Sequence, residues 1–111
     1  MSKNILIIGG TGFIGYHLAK RCIKKKWKVT SVSTSKPKKI RYLSKIKYLY
    51  FDISKKKNLI KHLKTNFDYV VNLGGHVDHS KKKKTLESHY NGCKNLIDFF
   101  EKTRIKSFLQ I

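Results

Sequence analysis

Lys3-Asn4-Ile5-Leu6-Ile7-Ile8-Gly9-Gly10-Thr11-Gly12-Phe13-Ile14-Gly15 is a short aliphatic run followed at once by four glycines. Ile5 to Ile8 has no polar interruption, so it reads as a strand buried on both faces. Beyond the glycines, Phe13, Ile14, Leu18 and Cys22 recur at spacings that share one helix face. Strand, glycine turn and helix start together make a phosphate-binding βα unit. Gly9 lets the chain leave the strand tightly, Gly12 has no Cβ to block a diphosphate, and Gly15 lets the helix pack close to the strand. The first N–H groups of the helix and its partial positive charge suit an anion. Turns also use glycine for backbone reasons alone. Gly10, Gly12 and Gly15 fit the older Gly-x-Gly-x-x-Gly spacing as well.

The remaining pattern alternates. Lys28 to Ser33 is a second strand, broken by Ser35-Lys36-Pro37, and residues 46–51 form a third. Asp52 or Ser54 is placed to cap a helix carrying Leu59, Ile60 and Leu63. Tyr69 to Leu73 is a fourth strand, ended by Gly74-Gly75. Residues 85–103 form a longer helix with Leu86, Tyr90, Cys93, Leu96, Ile97 and Phe100 on one face, and Ser107 begins a fifth strand. Strands alternating with helices imply an α/β fold: a doubly wound parallel sheet of about five strands with right-handed crossovers. The 111 residues make one domain at most, and a full doubly wound domain needs more strands, so the expectation is the first part of a longer chain.

The net charge is +20, from 26 basic and 6 acidic residues. Such an imbalance raises nucleic acid or anionic lipid as a partner. The lysine clusters at 24–26, 36–39, 55–57 and 81–84 lie in loops or at helix ends, and no aromatic stacking motif is interleaved. Solvated lysines are therefore the reading, and nucleic acid is not the expected partner. Cys22 and Cys93 read as buried free thiols of a reducing compartment. No stretch reaches membrane-spanning length and no signal peptide precedes the first strand, so a soluble cytoplasmic protein is expected.

In a parallel sheet of this kind ligands bind beyond the carboxyl ends of the strands, where the strand order reverses. Those ends are Gly9 to Gly15, Ser33-Thr34, Asp52-Ile53 and Leu73-Gly74-Gly75. A site that holds a free ribose diol often places Asp or Glu roughly twenty residues past the glycine turn. Ser33 stands there instead, followed by Thr34, Ser35 and Lys36, with Lys38, Lys39 and Arg41 close by. A phosphorylated cofactor is thus tolerated or preferred, unless these lysines are only a solvated loop. Asp52 reads either as an acceptor for the adenine amine, with Ile53 against the ring, or as a helix cap. Gly74 and Gly75 either admit the cofactor ribose or simply end a strand.

Ile8-Gly9-Gly10-Thr11-Gly12-Phe13-Ile14-Gly15, Phe51-Asp52-Ile53 and Asn72-Leu73-Gly74-Gly75 together resemble the extended short-chain dehydrogenase/reductases, which include the NAD-dependent epimerase/dehydratases of nucleotide sugars. The resemblance runs along the whole chain, in order. It implies a Rossmann-like fold binding NAD or NADP, with Gly9, Gly12 and Gly15 at the diphosphate. Phe13 and Ile14 would donate backbone N–H groups, Asp52 and Ile53 would meet adenine, and Leu73, Gly74 and Gly75 would line the ribose. It also implies a nucleotide-sugar or related substrate and a homodimer for the longer parent. Two departures stand out: Ile8 where Thr is common, and His89 for the first Asn of the pattern answered here by Asn91-Gly92 and Asn95.

The family's catalytic Ser/Thr and Tyr-x-x-x-Lys follow strand five, so the 111 residues are expected to bind dinucleotide weakly and turn nothing over. Tyr16 to Lys20 and Tyr90 to Lys94 match Tyr-x-x-x-Lys but lie in helices with other places in the family order, and Tyr90 reads as core. His76, Asp78 and His79 read as substrate contacts rather than metal ligands. The competing expectation is a non-catalytic module that senses dinucleotide or binds nucleic acid.

Overall fold

A computed structural model of the chain describes residues 3–63, 66–73, 82–101 and 107–110, with backbone only at 82–89 and at 110. Five strands form one parallel sheet: β1 (Asn4–Ile8), β2 (Lys28–Ser33), β3 (Lys47–Tyr50), β4 (Tyr69–Asn72) and β5 (Ser107–Gln110). Helices α1 (Phe13–Lys24), α2 (Lys56–His62) and α3 (Lys82–Phe100) connect them, with a short 3-10 turn at Lys39–Arg41. The spatial order is β3-β2-β1-β4-β5. The chain winds outward from β1 in one direction, then restarts on its other side, so the order reverses between β1 and β4. This is the Rossmann-like arrangement anticipated above.

The central strand explains its own sequence. Ile5 and Ile7 face a core made with Ala19 and Cys22 of α1, while Leu6 and Ile8 face one made with Leu59 of α2, Leu63 just after it, and Leu96 and Phe100 of α3. With helices on both sides, period-two alternation would leave half the side chains wrongly polar, so the run is apolar throughout. Burying each such side chain contributes about 1.5–3 kcal/mol.

α1 stops at Lys24, and Lys26 sits in the left-handed region at φ 62° to turn the chain back into β2. Several local readings are corrected. α2 begins after Lys55 with no side-chain cap, so neither Asp52 nor Ser54 caps it. α3 buries Gly92, Leu96 and Phe100 but leaves Tyr90 68% and Ile97 51% exposed, so Tyr90 is not core. Ile60, on α2, is also exposed. Cys22 is buried and Cys93 only half-buried.

At the β3 edge the aromatic rings are gathered after all. Tyr42 stacks on Tyr48 at 5.5 Å and Tyr48 lies parallel to Tyr50 at 6.3 Å. Spacings of 42, 48 and 50 show no stacking motif because the loop before β3 folds back on the strand. Tyr48 Oη accepts a hydrogen bond from the Leu43 amide at 3.1 Å, which ties that loop down. Burial pushes the Tyr48 phenol above its ordinary range, only partly offset by this bond.

Candidate cofactor site

The carboxyl ends of β1 and β2 are tied together by a hydrogen bond from the Gly9 amide to the Val32 carbonyl, 2.7 Å. Gly9 takes φ 85°, a conformation that costs other residues and costs glycine little. Gly12 follows as N-cap of α1, its amide bonded to the Gly9 carbonyl at 3.3 Å and its own carbonyl closing the first helical bond with Tyr16 at 2.9 Å.

The glycines then separate by what a side chain would meet. At Gly15 a Cβ would stand 2.5 Å from Gly10 Cα and 2.6 Å from the Gly9 carbonyl oxygen, so the helix packs against the turn itself rather than against the strand. At Gly10 it would run into Ser31 of β2. Ser31 is buried, and its Oγ finds no hydrogen-bond partner among the described residues. The older Gly-x-Gly-x-x-Gly spacing includes Gly10 without giving this reason for it; the signal was a small residue on β2 facing the turn. At Gly12 the nearest atom would be the Gly9 carbonyl oxygen at 3.6 Å, an ordinary contact, and φ is −78°. Neither sterics nor backbone strain requires glycine at 12. The open side of the turn there is the cradle that a bound diphosphate would fill.

No side chain caps α1, and its first turn holds no acidic residue. The amides of Phe13, Ile14 and Gly15 lack intrahelical acceptors, as the opening amides of any helix do. Phe13 and Ile14 are 62% and 61% exposed, so two large apolar side chains stand open at the mouth of the turn, off the buried face of Gly15, Ala19 and Cys22. The donor set and the bare cradle fit a dinucleotide diphosphate.

At the end of β2, Ser33 Oγ donates to the Ser35 carbonyl at 2.7 Å, closing a tight turn that leaves Thr34 and Lys36 exposed. Arg41 comes back from the loop to lie over Phe13, its guanidinium carbon 5.8 Å from the ring centroid. The β3 end is built differently. Asp52 Oδ1 accepts from the Ser54 amide at 2.9 Å and from Ser54 Oγ at 2.7 Å. Asn95 of α3 donates through Nδ2 to the carbonyls of Ile53 and Ser54, both at 2.9 Å. Gly92 lets α3 come this close, since a Cβ there would stand 2.8 Å from Ile53 Cδ1. Asp52 is thus held in a turn of its own, with Oδ2 making no hydrogen bond among the described residues.

β4 joins the crevice through the Leu73 amide, bonded to the Ile8 carbonyl at 2.9 Å, beside buried Asn72. Gly74, Gly75, His76, Asp78 and His79 lie outside the described residues, as does the side chain of His89. The structure therefore brings Gly9, Gly12, Phe13, Ile14, Gly15, Ser33, Thr34, Asp52, Ile53 and Leu73 to one end of the sheet. No described helix is long and apolar enough to cross a membrane.

The family model for the NAD dependent epimerase/dehydratase family matches residues 5–111. No curated protein matches the chain. Solved structures do. Epimerase Mth375 from Methanothermobacter thermautotrophicus superposes with TM-score 0.86 at 21% identity, over 98% of this chain and 34% of that one. UDP-glucose 4-epimerase from Thermotoga maritima, solved with UDP-glucose, gives 0.85 at 21% identity, over 96% and 37%. WbmF from Bordetella bronchiseptica, solved with NAD+ and UDP, gives 0.83 at 20% identity, over 98% and 35%. At these identities the likeness is one of fold, and the chain spans about a third of the length of each.

Proposed function

The chain belongs to the NAD dependent epimerase/dehydratase family, and on that basis we propose that it forms the cofactor-holding part of an NAD(P)-dependent enzyme acting on a nucleotide sugar. The nicotinamide, when bound, supplies a hydride acceptor and donor for a sugar carbon. The chain's own residues bind and orient. Gly9, Gly12 and Gly15 form the bare turn for the diphosphate, and the amides of Phe13 and Ile14 donate to it. Asp52 accepts from the adenine amine through Oδ2, with Ile53 against the ring. Leu73, with Gly74 and Gly75, borders the ribose.

The observation that carries this reading is Gly12. It is a glycine that the turn could replace sterically, since a Cβ there would make only an ordinary contact with the Gly9 carbonyl oxygen, at a helix start with no side-chain cap. Support for the sugar substrate comes from the neighbours solved with UDP-glucose or UDP. The family match also disfavours a non-catalytic module. Tyr16 and Tyr90, which begin the two Tyr-x-x-x-Lys matches, lie on α1 and α3 and are given no acid/base role.

Calorimetric titration of the 111-residue chain with NAD+ and NADP+, alongside an assay for sugar-nucleotide turnover, tests the proposal. Saturable binding of at least one dinucleotide without turnover is expected. Absence of binding overturns the cofactor reading, and turnover by the chain alone overturns the division of labour.

A further inference from the structure

We infer that the site selects the dinucleotide carrying a 2′-phosphate on its adenosine ribose, with Arg41 as the residue that reads it; this rests on the dinucleotide lying on the glycine turn. All six acidic residues stand at or beyond Asp52, so residues 1–51, which hold β1, α1, β2 and β3, contain no carboxylate. A free ribose diol is usually held by a carboxylate at the end of the second strand, and none exists there to hold the diol or to repel a phosphate. Asp52 does not substitute for it. Its turn is fastened by Asn95 to α3, and Ile53, partly buried, packs against the core on the α2 and α3 side of the sheet. Phe13 and Arg41 lie on the α1 side.

What does stand at the end of β2 is cationic and positioned. The Gly9 to Val32 bond sets the glycine turn against β2, and the Ser33 to Ser35 bond turns the chain away at once. The next stretch returns Arg41 to Phe13, the first residue of α1. Its backbone is held on both sides: the Arg41 amide donates to the Lys38 carbonyl at 2.8 Å, and just beyond it Tyr42 stacks on Tyr48 while the Leu43 amide is held by Tyr48 Oη. No carboxylate or other acceptor pairs with the guanidinium among the described residues, so its planar fork of donors is available. A guanidinium held this way suits a phosphate, which it can meet with two charge-assisted hydrogen bonds. The exposed hydroxyl of Thr34 and the Lys36 ammonium lie in the same turn.

The test is calorimetric titration of the chain and of Arg41→Ala and Arg41→Glu variants with NADP+ and with NAD+. The wild-type chain is expected to bind NADP+ tighter by about tenfold or more, the scale of one charge-assisted contact. Arg41→Ala should lower NADP+ affinity by a similar factor and NAD+ affinity far less. Arg41→Glu, which puts back an acceptor for the diol, should invert the ratio, a result misfolding does not produce. Equal or tighter NAD+ binding by the wild type overturns the inference, as does an equal loss of both forms in Arg41→Ala. Binding of neither form overturns the cofactor reading beneath it.

Discussion

Glycines 12 and 15 look alike in the sequence and do different work. Alanine at 15 forces a side chain into backbone atoms that cannot turn aside. The overpacking cost of about 1–3 kcal/mol or more outweighs the ~1 kcal/mol that alanine gains over glycine inside a helix. Gly15→Ala should lower the urea midpoint and impair dinucleotide binding together. Gly12→Ala meets only ordinary contact; a poorer N-cap is offset by about 0.4–1 kcal/mol of lost unfolded-chain entropy. Its midpoint should stay near wild type while dinucleotide affinity falls. A Gly12→Ala chain that binds as tightly as wild type would show that no diphosphate approaches there. The two thiols differ as well. Burial pushes the Cys22 thiol up, against the smaller pull of Lys25. A neutral buried thiol reacts slowly, so titration of the native chain with a thiol reagent should modify Cys93 first and Cys22 only on unfolding. Because the folded pKa of Cys22 is raised, its contribution to stability is full below the unfolded thiol pKa. It is lost as pH rises through the folded value, and an alkaline stability scan should show that loss.

At the scale of elements, α3 shows how hydrophobic pattern and register part company. Leu96 and Ile97 are adjacent and similar, yet one is fully buried and the other half open. Leu96→Ala should cost about 2–5 kcal/mol, the range for deleting a core leucine, whereas Ile97→Ala should cost under about 1 kcal/mol because little burial is lost. Equal losses in denaturant titrations would mean that another surface covers Ile97. Asn95 links this helix to the turn after β3 through two carbonyls. Asn95→Ala should cost about 1–2 kcal/mol, the net value of those bonds in a partly buried place. It should also weaken binding of adenine nucleotides, since the 52–54 turn loses its fastening. A variant with unchanged adenine-nucleotide affinity would assign Asn95 to stability alone.

Across the whole molecule, charge dominates. A radius of gyration of 13.5 Å lies well inside the Debye length of about 30 Å at 0.01 M salt. At that ionic strength nearly all of the +20 charge repels itself, whereas the screening length shrinks to about 8 Å at 0.15 M. The thermal midpoint should therefore rise as sodium chloride is raised from about 0.01 to 0.15 M. A falling midpoint in a scanning-calorimetry series would mean that attractive pairs outweigh the repulsion.

The order of strands and helices, the sheet's parallel sense and the glycine turn were all legible along the chain. They are local properties: an aliphatic run with no alternation, a turn residue, a helical period. That Asp52-Ile53 and Leu73 stand at the carboxyl edge of the sheet was legible too, because each follows closely on a strand and strand ends share one edge. What could not be read were contacts between segments distant in sequence. The clash that keeps Gly10 bare comes from Ser31, the Asp52 turn is closed by Ser54 and fastened by Asn95, and Arg41 meets Phe13 through a folded-back loop. Helix periodicity likewise marked an apolar face on α3 without showing that Tyr90 lies outside it, since burial depends on where the sheet and α2 stop. Local chemistry set the parts list, and long-range packing assigned each part its neighbour.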